Sequence, residues 1–319
     1  MSTPTIVLKP GELVLSNTAD QAEWLAARRT GIGASEIAAV AGLSQQRGPW
    51  DVWASKIDGT ELVPSDEMRW GQWIEGRIID WWARETGRAI GSGGLYRHPD
   101  HRWLMATPDA VVLEEPAATV VATVDAKNAG HYNQTEWDED GAPVEYLAQI
   151  TQQMLAVGVN QGFLVAAIGG RPPAERAIAL DEDFAGSLIA LGDEFWQHVQ
   201  DGTPPPVDGS RSARKWLAKK YPDADPGYFA ALSDEDVAAL KERVAIDEHI
   251  ARLKKLSDSV ENVIKAKLGK ASAGTYNGKT YVTWKSIDRA GYTVKPTTYR
   301  KFHVPKAIEK ELSGNGERG

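Results

Sequence analysis

The sequence predicts an α/β protein in which a sheet lies between helices, and three observations carry that prediction. Residues 66–86, DEMRWGQWIEGRIIDWWARET, repeat apolar side chains at Trp70, Ile74, Ile78 and Trp81, the spacing of one helical face. Short β-branched runs follow and end in TVVATVDAK, whose composition and alternation belong to strands. A helical segment, VEYLAQITQQMLAVG, then leads into the apolar run GFLVAAIGG. A helix set between strands in this way covers one face of a sheet.

The elements follow in order. DQAEWLAARR, ASEIAAVAGLS and PWDVWASKIDG read as three helices, each break marked by glycine or proline. The long helix at 66–86 stops at Gly87. Strand candidates stand at Gly94–His98, Trp103–Ala106, Ala110–Leu113 and Thr119–Lys127. The polar loop HYNQTEWDEDGAP precedes the next helix; a strand, ERAIAL, and a helix, FAGSLIALGDEFWQHVQDG, complete the first part. We place a domain boundary at Pro204–Pro206. Beyond it come a short basic segment, RSARKWLAKK, and one long helix over Ser233–Lys270, with Ser233 and Asp236 as a capping pair. Asn277-Gly278 sets a tight hairpin turn, a further strand candidate lies near Tyr299–Val304, and the closing SGNGERG reads as disordered.

Composition narrows the class. A chain of 319 residues with 42% hydrophobic content buries a full core. No apolar run reaches a membrane span and the start lacks the regions of a signal peptide, so a cytoplasmic protein is expected. The absence of cysteine excludes disulfides, thiolate zinc sites and a cysteine nucleophile. Six scattered histidines leave oxygen donors as the metal ligands to expect. The net charge of −8 is divided unequally: residues 1–204 balance at −15 and residues 205–319 at +7. A cluster of carboxylates is what a metal site needs, and the basic part is the natural place for a polyanion.

The chemistry concentrates in MATPDAVVLEEPAATVVATVDAKN. Asp109 follows a proline; Asp125 and Lys127 close the strand, on one face because side chains repeat every second residue. Two acids and a lysine at adjoining strand ends suit metal-assisted phosphodiester hydrolysis, with carboxylates on Mg²⁺ and an ammonium beside the phosphate. A turn followed by a surface ion pair accounts for the same residues equally well when they are taken alone.

Taken in order, EWLAARRTGIGASEIAAVAGLS, RWGQWIEGRIID, MATPDAVV, VDAKN, APVEYLAQITQQML, GFLVAAIGG and EFWQHV resemble the YqaJ-like viral recombinase family, which groups with phage lambda exonuclease in the PD-(D/E)xK nuclease superfamily. The resemblance covers residues 20–204 and implies a restriction-endonuclease-like mixed sheet flanked by helices, extended by a C-terminal long helix and a small hairpin. The implied activity is Mg²⁺-dependent 5′→3′ digestion of linear double-stranded DNA, with Mn²⁺ as a substitute metal, leaving 3′ single strands for an annealing protein in phage-type recombination. A homotrimer around DNA is implied as well. By the same resemblance Asp109 and Asp125 are metal-binding acids, Lys127 the catalytic lysine, the Ala126 backbone carbonyl a further metal ligand, Glu75 an acid near the metals and Gln149 an active-site glutamine. Asp125 stands where close relatives more often carry glutamate. Arg28 and Ser35 match a pair that binds the 5′-terminal phosphate, and the Gly31–Ser35 segment leads into a helix whose free N–H groups favour an anion.

Plainer roles fit several of these residues: an N-cap for Ser35, a surface charge for Arg28, with Arg29 beside it, a solvated carboxylate for Glu75, and a polar helix face for Gln149. Nine of the twelve tryptophans precede residue 140, and those at 70, 73, 81 and 82 are assigned to core packing or a subunit interface. In the tail, Tyr281 and Trp284 alternate with Lys279 and Lys285, a pattern shared by single-strand stacking platforms and ordinary hairpins. Two rival functions stay open. One is a structure-specific or restriction-like endonuclease, since the catalytic triplet does not distinguish ends from internal sites. The other is a non-catalytic DNA-end-binding scaffold, against which the intact Asp109, Asp125 and Lys127 speak.

Overall fold

The computed structural model describes residues 6–44, 46–59, 66–130, 137, 142–287 and 304–312. The chain divides into two compact units, Met1–Lys220 and Tyr221–Gly319.

The first unit is built on a five-stranded mixed sheet in the order β2 (Ile90–Ser92), β5 (Ala110–Glu114), β6 (Thr119–Ala129), β7 (Gln161–Ile168) and β8 (Ala174–Ala179). Only β6 and β7 run parallel. A parallel pair needs a crossover, and α5 (Val144–Val157) supplies it. Gly158 ends α5 at φ 84°, a left-handed cap that a side chain would resist.

Alternation along β6 divides its side chains between two helices. Ala122, Val124 and Ala126 face Ile78, Ile79 and Trp82 of α4 (Asp66–Thr86), together with Phe163 and Val165. Thr123, Asp125 and Lys127 therefore belong to the other face, where Leu164 and Ala166 of β7 meet Ile150 of α5. The sandwich expected from the sequence is the one found.

A second sheet joins β1 (Glu12–Ser16), β3 (Gly94–Arg97) and β4 (Met105–Ala106). α1 (Gln21–Arg28), α2 (Ala34–Val40), α3 (Pro49–Ile57) and α6 (Glu182–Gln200) complete the body, with Ile37, Val52, Leu155, Leu188 and Phe195 in one core. α7 (Arg211–Lys220) also belongs here: Trp216 packs tilted against Trp50 at 4.3 Å and meets Trp53 edge-on at 6.4 Å. The division thus falls at Tyr221, beyond the Pro204–Pro206 run, and the basic segment expected in the tail lies on the first unit.

Two expectations change. The inward stripe of α4 is Ile74, Ile78, Ile79 and Trp82, whereas Trp70 and Trp73 are 58% and 60% exposed and stack on each other at 5.3 Å. Of the four clustered tryptophans Trp82 is buried and Trp81 packs half-buried against the same core; at about 100° per residue position 73 is opposite position 82 and position 70 is turned well away from it. Strands β1 and β2 were not expected; ELVLS and IGS are too short for a period to show.

The second unit contains α8 (Asp234–Leu268), the hairpin β9 (Ala273–Tyr276) and β10 (Lys279–Thr283), and α9 (Lys306–Leu312). Ser233 and Asp236 form the expected capping box, and Asn277 and Gly278 take positive φ in the hairpin turn. Val244 of the expected apolar stripe is buried, while Ile250, Leu253, Leu256, Val260 and Ile264 are exposed. Most of the loop at 131–141, the strand candidate near Tyr299 and the closing SGNGERG lie outside the described residues. Among the described residues no helix is long and apolar enough to cross a membrane.

Candidate active site

Strand β5 begins pairing with β6 at Ala110 opposite Val124, so β6 runs on past the end of its neighbour. Asp109 stands at that end, its N–H donated to the Val124 carbonyl at 3.1 Å. The Asp109 carboxylate then takes the place of a strand: Oδ2 accepts the Ala126 N–H at 2.8 Å. A strand residue directs its N–H and C=O to the same side, so the Ala126 carbonyl also faces the gap where β5 has stopped.

Asp125 is 1% exposed and heavily tethered. Its Oδ1 accepts the side-chain amides of Gln149 at 2.7 Å and Gln153 at 2.8 Å, one helical turn apart on α5. Its Oδ2 lies 2.5 Å from the Lys127 ammonium. Lys127 Nζ also sits 5.2 Å from the centre of the Tyr146 ring. Gln152, between the two glutamines, donates to the carbonyls of Ile32 and Met105 and so joins α5 to the segment leading into α2 and to β4.

One cavity of about 340 Å³ is lined by Arg28, Ser35, Glu75, Asp109, Asp125, Lys127 and Gln149. These are all the side chains that the resemblance assigns to the metal site and the 5′-phosphate pocket. The approach of α2 to the site depends on Gly31, where a Cβ would stand 2.4 Å from the Trp103 carbonyl oxygen. A Cβ on Gly33 would stand 3.2 Å from the Arg28 guanidinium, which places that group against the start of α2.

The acids crowd one another. Burial raises Asp109, the nearby Asp125 charge adds to it, and its pKa reaches about 7 although the cavity leaves its side chain open to solvent. Burial also raises Glu75. For Lys127 burial acts downward, yet Asp125 and Asp109 together hold it above the ordinary lysine value. The lysine is therefore a fixed cation at neutral pH.

Sequence reasoning missed three participants. Gln153 is fully buried and shares Asp125 with Gln149; the QITQQ run was the signal available. Glu36 and Lys56 form a buried pair at 2.7 Å behind the Arg28 and Ser35 wall. Glu36 Oε2 also accepts the Gly33 N–H at 2.8 Å, so a carboxylate already caps α2 and the helix start is less open to an anion than its glycines imply. Lys56 donates to the Arg28 carbonyl at 3.0 Å.

The donor set fits a hard divalent cation. Among the described residues no group of three or more His, Cys, Asp or Glu is placed to hold a metal. Two carboxylates and a backbone carbonyl are nonetheless what Mg²⁺ takes from a protein when waters and substrate phosphate fill the remaining positions. Apart from Lys127, the buried Asp125 Oδ2 has no donor among the described residues, and a cation would relieve the crowding that raises Asp109.

Residues 23–160, which contain every site residue named above, match the family described as the YqaJ-like viral recombinase domain. Uncharacterized protein YqaJ of Bacillus subtilis (strain 168) is 25% identical over 274 residues, 83% of each chain. Among solved structures, LHK-Exo in complex with dAMP has 20% identity and a TM-score of 0.49, covering 63% of this chain and 97% of that one. The alkaline exonuclease LHK-Exo from Laribacter hongkongensis gives 18% and 0.46 with the same coverage. A phage related exonuclease from Haemophilus somnus 129PT has 9% identity and a TM-score of 0.40, covering 54% of this chain and 96% of that one.

Proposed function

We propose, for a chain whose residues 23–160 match the YqaJ-like viral recombinase domain, that it is a Mg²⁺-dependent exonuclease that digests the 5′-ended strand of linear duplex DNA and leaves a 3′ single strand for an annealing protein. The observation that carries this reading is the single cavity in which Asp109, Asp125 and Lys127 meet Arg28 and Ser35. Hydrolytic groups beside a cationic pocket suit a terminal phosphate next to the bond that is cut.

Asp109, Asp125 and the Ala126 carbonyl would hold the metal, with Glu75 near it. When bound, the metal supplies a water of lowered pKa and charge on the phosphoryl oxygens. The chain's own residues do the rest. Gln149 and Gln153 fix the Asp125 carboxylate from one side, leaving Oδ2 turned toward Lys127. Lys127 keeps its proton and places an ammonium where charge grows on the phosphate. Arg28 supplies a guanidinium for the 5′ phosphate and Ser35 a hydroxyl.

Linear duplexes labelled separately at the 5′ and 3′ ends, incubated with and without Mg²⁺, test the reading. Early loss of the 5′ label alone, only with metal, is expected. Internal cuts in circular DNA would instead identify an endonuclease, and binding without any cleavage would leave an end-binding scaffold.

A further inference from the structure

The cavity that holds the acids continues within the first unit. Ser35 and Gln149 also line a second cavity of about 650 Å³, bounded by Val144–Tyr146 and by Leu43, Ser44 and Gln46. Gln46 lines a third, of about 460 Å³, between α3 and α7. Shared walls put the three in a row.

The third cavity has its own chemistry. Trp50 and Trp216 make an aromatic floor, and Arg47, Lys215, Lys219 and Lys220 stand around it. Lys220 Nζ lies 4.4 Å from the centre of the Trp216 ring. Two acids, Asp51 and Asp58, are also in the lining, but Asp51 is engaged with the Gly48 N–H at 3.1 Å. Arg47 Nε is buried without a hydrogen-bond partner, and its Nη2 is 4.0 Å from Glu36 behind the end pocket. Cations over tryptophan, in a body whose overall balance is acidic, match a polyanion with flat rings.

We propose that the α3–α7 cavity binds the unpaired 3′-ended strand of the DNA substrate as it leaves the duplex end. This rests on the end-pocket reading given above. If the 5′ phosphate sits at Arg28 and Ser35, the digested strand terminates there. The path beyond Ser35 is then open to the complementary strand alone. Its first stretch mixes the neutral polar groups Ser35, Ser44, Gln46 and Gln149 with apolar side chains, Tyr146 and one carboxylate, Glu145, and offers a phosphate no cation, whereas its far end is cationic. Phosphates are drawn to the far end and bases find Trp216.

The test uses the full chain in EDTA, so that nothing is cleaved, with 5′-phosphorylated duplexes that are blunt or carry a 3′ overhang. Lys215→Ala/Lys219→Ala removes two exposed cations from the cavity wall. Arg211→Ala/Arg214→Ala removes the same charge from α7 outside that wall. We expect the first variant to bind the overhang duplex about 5- to 10-fold more weakly, with blunt-end affinity nearly unchanged and the salt slope reduced by about 0.7 per lost single-strand phosphate contact. The second variant should bind both duplexes as the parent does. Equal losses on both duplexes, no loss on either, or the same loss in the arginine variant would each overturn the proposal. Arg28→Ala on 5′-phosphate and 5′-hydroxyl blunt ends is the separate control: indifference there removes the end-pocket reading on which the strand assignment rests, whatever the lysine variant does.

Discussion

Lys56 Nζ bridges Glu36 Oε2, at 2.7 Å, and the backbone carbonyl oxygen of Arg28, at 3.0 Å. The two side chains are 4% and 6% exposed, so Arg28 is held from below by a buried ion pair. Burial lowers the Lys56 pKa, while Lys56 and Arg28 keep Glu36 ionised against its own burial.

Breaking that pair from one side leaves an uncompensated buried charge. Lys56→Met should destabilise the protein by about 3–5 kcal/mol, and Glu36→Gln/Lys56→Met should recover a large part of the loss. Urea denaturation of the single and double variants measures both. A double variant no more stable than the single one would show that the pair's role is not electrostatic.

Removing a group proposed to be catalytic should separate cutting from binding. Asp109→Ala, Asp125→Asn and Lys127→Ala are expected to abolish most hydrolysis and to leave DNA affinity in EDTA largely intact. Wild-type cleavage rates in all three would remove the site assignment.

The two glutamines that hold Asp125 act through it. Gln149→Ala and Gln153→Ala should each lower hydrolysis about 10- to 100-fold, as partners of a metal-binding group do. The deficit should shrink when Mg²⁺ is raised. A rate insensitive to metal concentration would place the glutamines elsewhere in the mechanism.

Asp109 gives the stability a pH dependence of definite sign. Its folded pKa, about 7, lies above the ordinary 3.8, so the protonated form stabilises the fold below pH 4 and that contribution is lost as pH rises through 7. In EDTA at pH 8, Asp109→Asn should melt above the parent, on the order of 2–4 °C if about 1 kcal/mol survives solvent screening. At pH 4 the two should coincide. Mg²⁺ should raise the parent's melting temperature at pH 8 and the variant's less.

Where the chain is cut matters more than that it is cut. Ending it after Lys220 keeps Trp216 on Trp50, whereas ending it after Pro206 uncovers Trp50 and Trp53. The shorter product should melt lower and expose apolar surface to a fluorescent dye. The longer product keeps Lys215, Lys219 and Lys220 of the α3–α7 cavity, so it should retain most of the salt-dependent DNA binding that the sequence assigned to the tail.

Long periods and strong punctuation were legible. The helix at 66–86, the long helix from Asp234 and the Asn277-Gly278 turn lie where the spacing and the turn residues put them, because each is a local property. That Asp109, Asp125 and Lys127 would come together was legible for the same reason, since a short strand motif sets their positions. Gln153, Glu36 and Lys56 were not, since their roles arise from contacts with residues 20 to 28 positions away. The outward turn of Trp70 was equally hidden: spacing alone does not say which side of a stripe meets the sheet.

Strand β6 is eleven residues long and carries apolar side chains on one face and Asp125 and Lys127 on the other. Its pleat therefore works as a counting device. Adding or deleting one residue between Thr119 and Asp125 would exchange the two faces, driving both charged groups into the layer under α4 and delivering alanine and valine to the cavity. A change of two residues would restore the parity and merely shift the site along the strand. Point substitutions can tune this centre one atom at a time, but a single-codon insertion upstream of Asp125 erases it in one step.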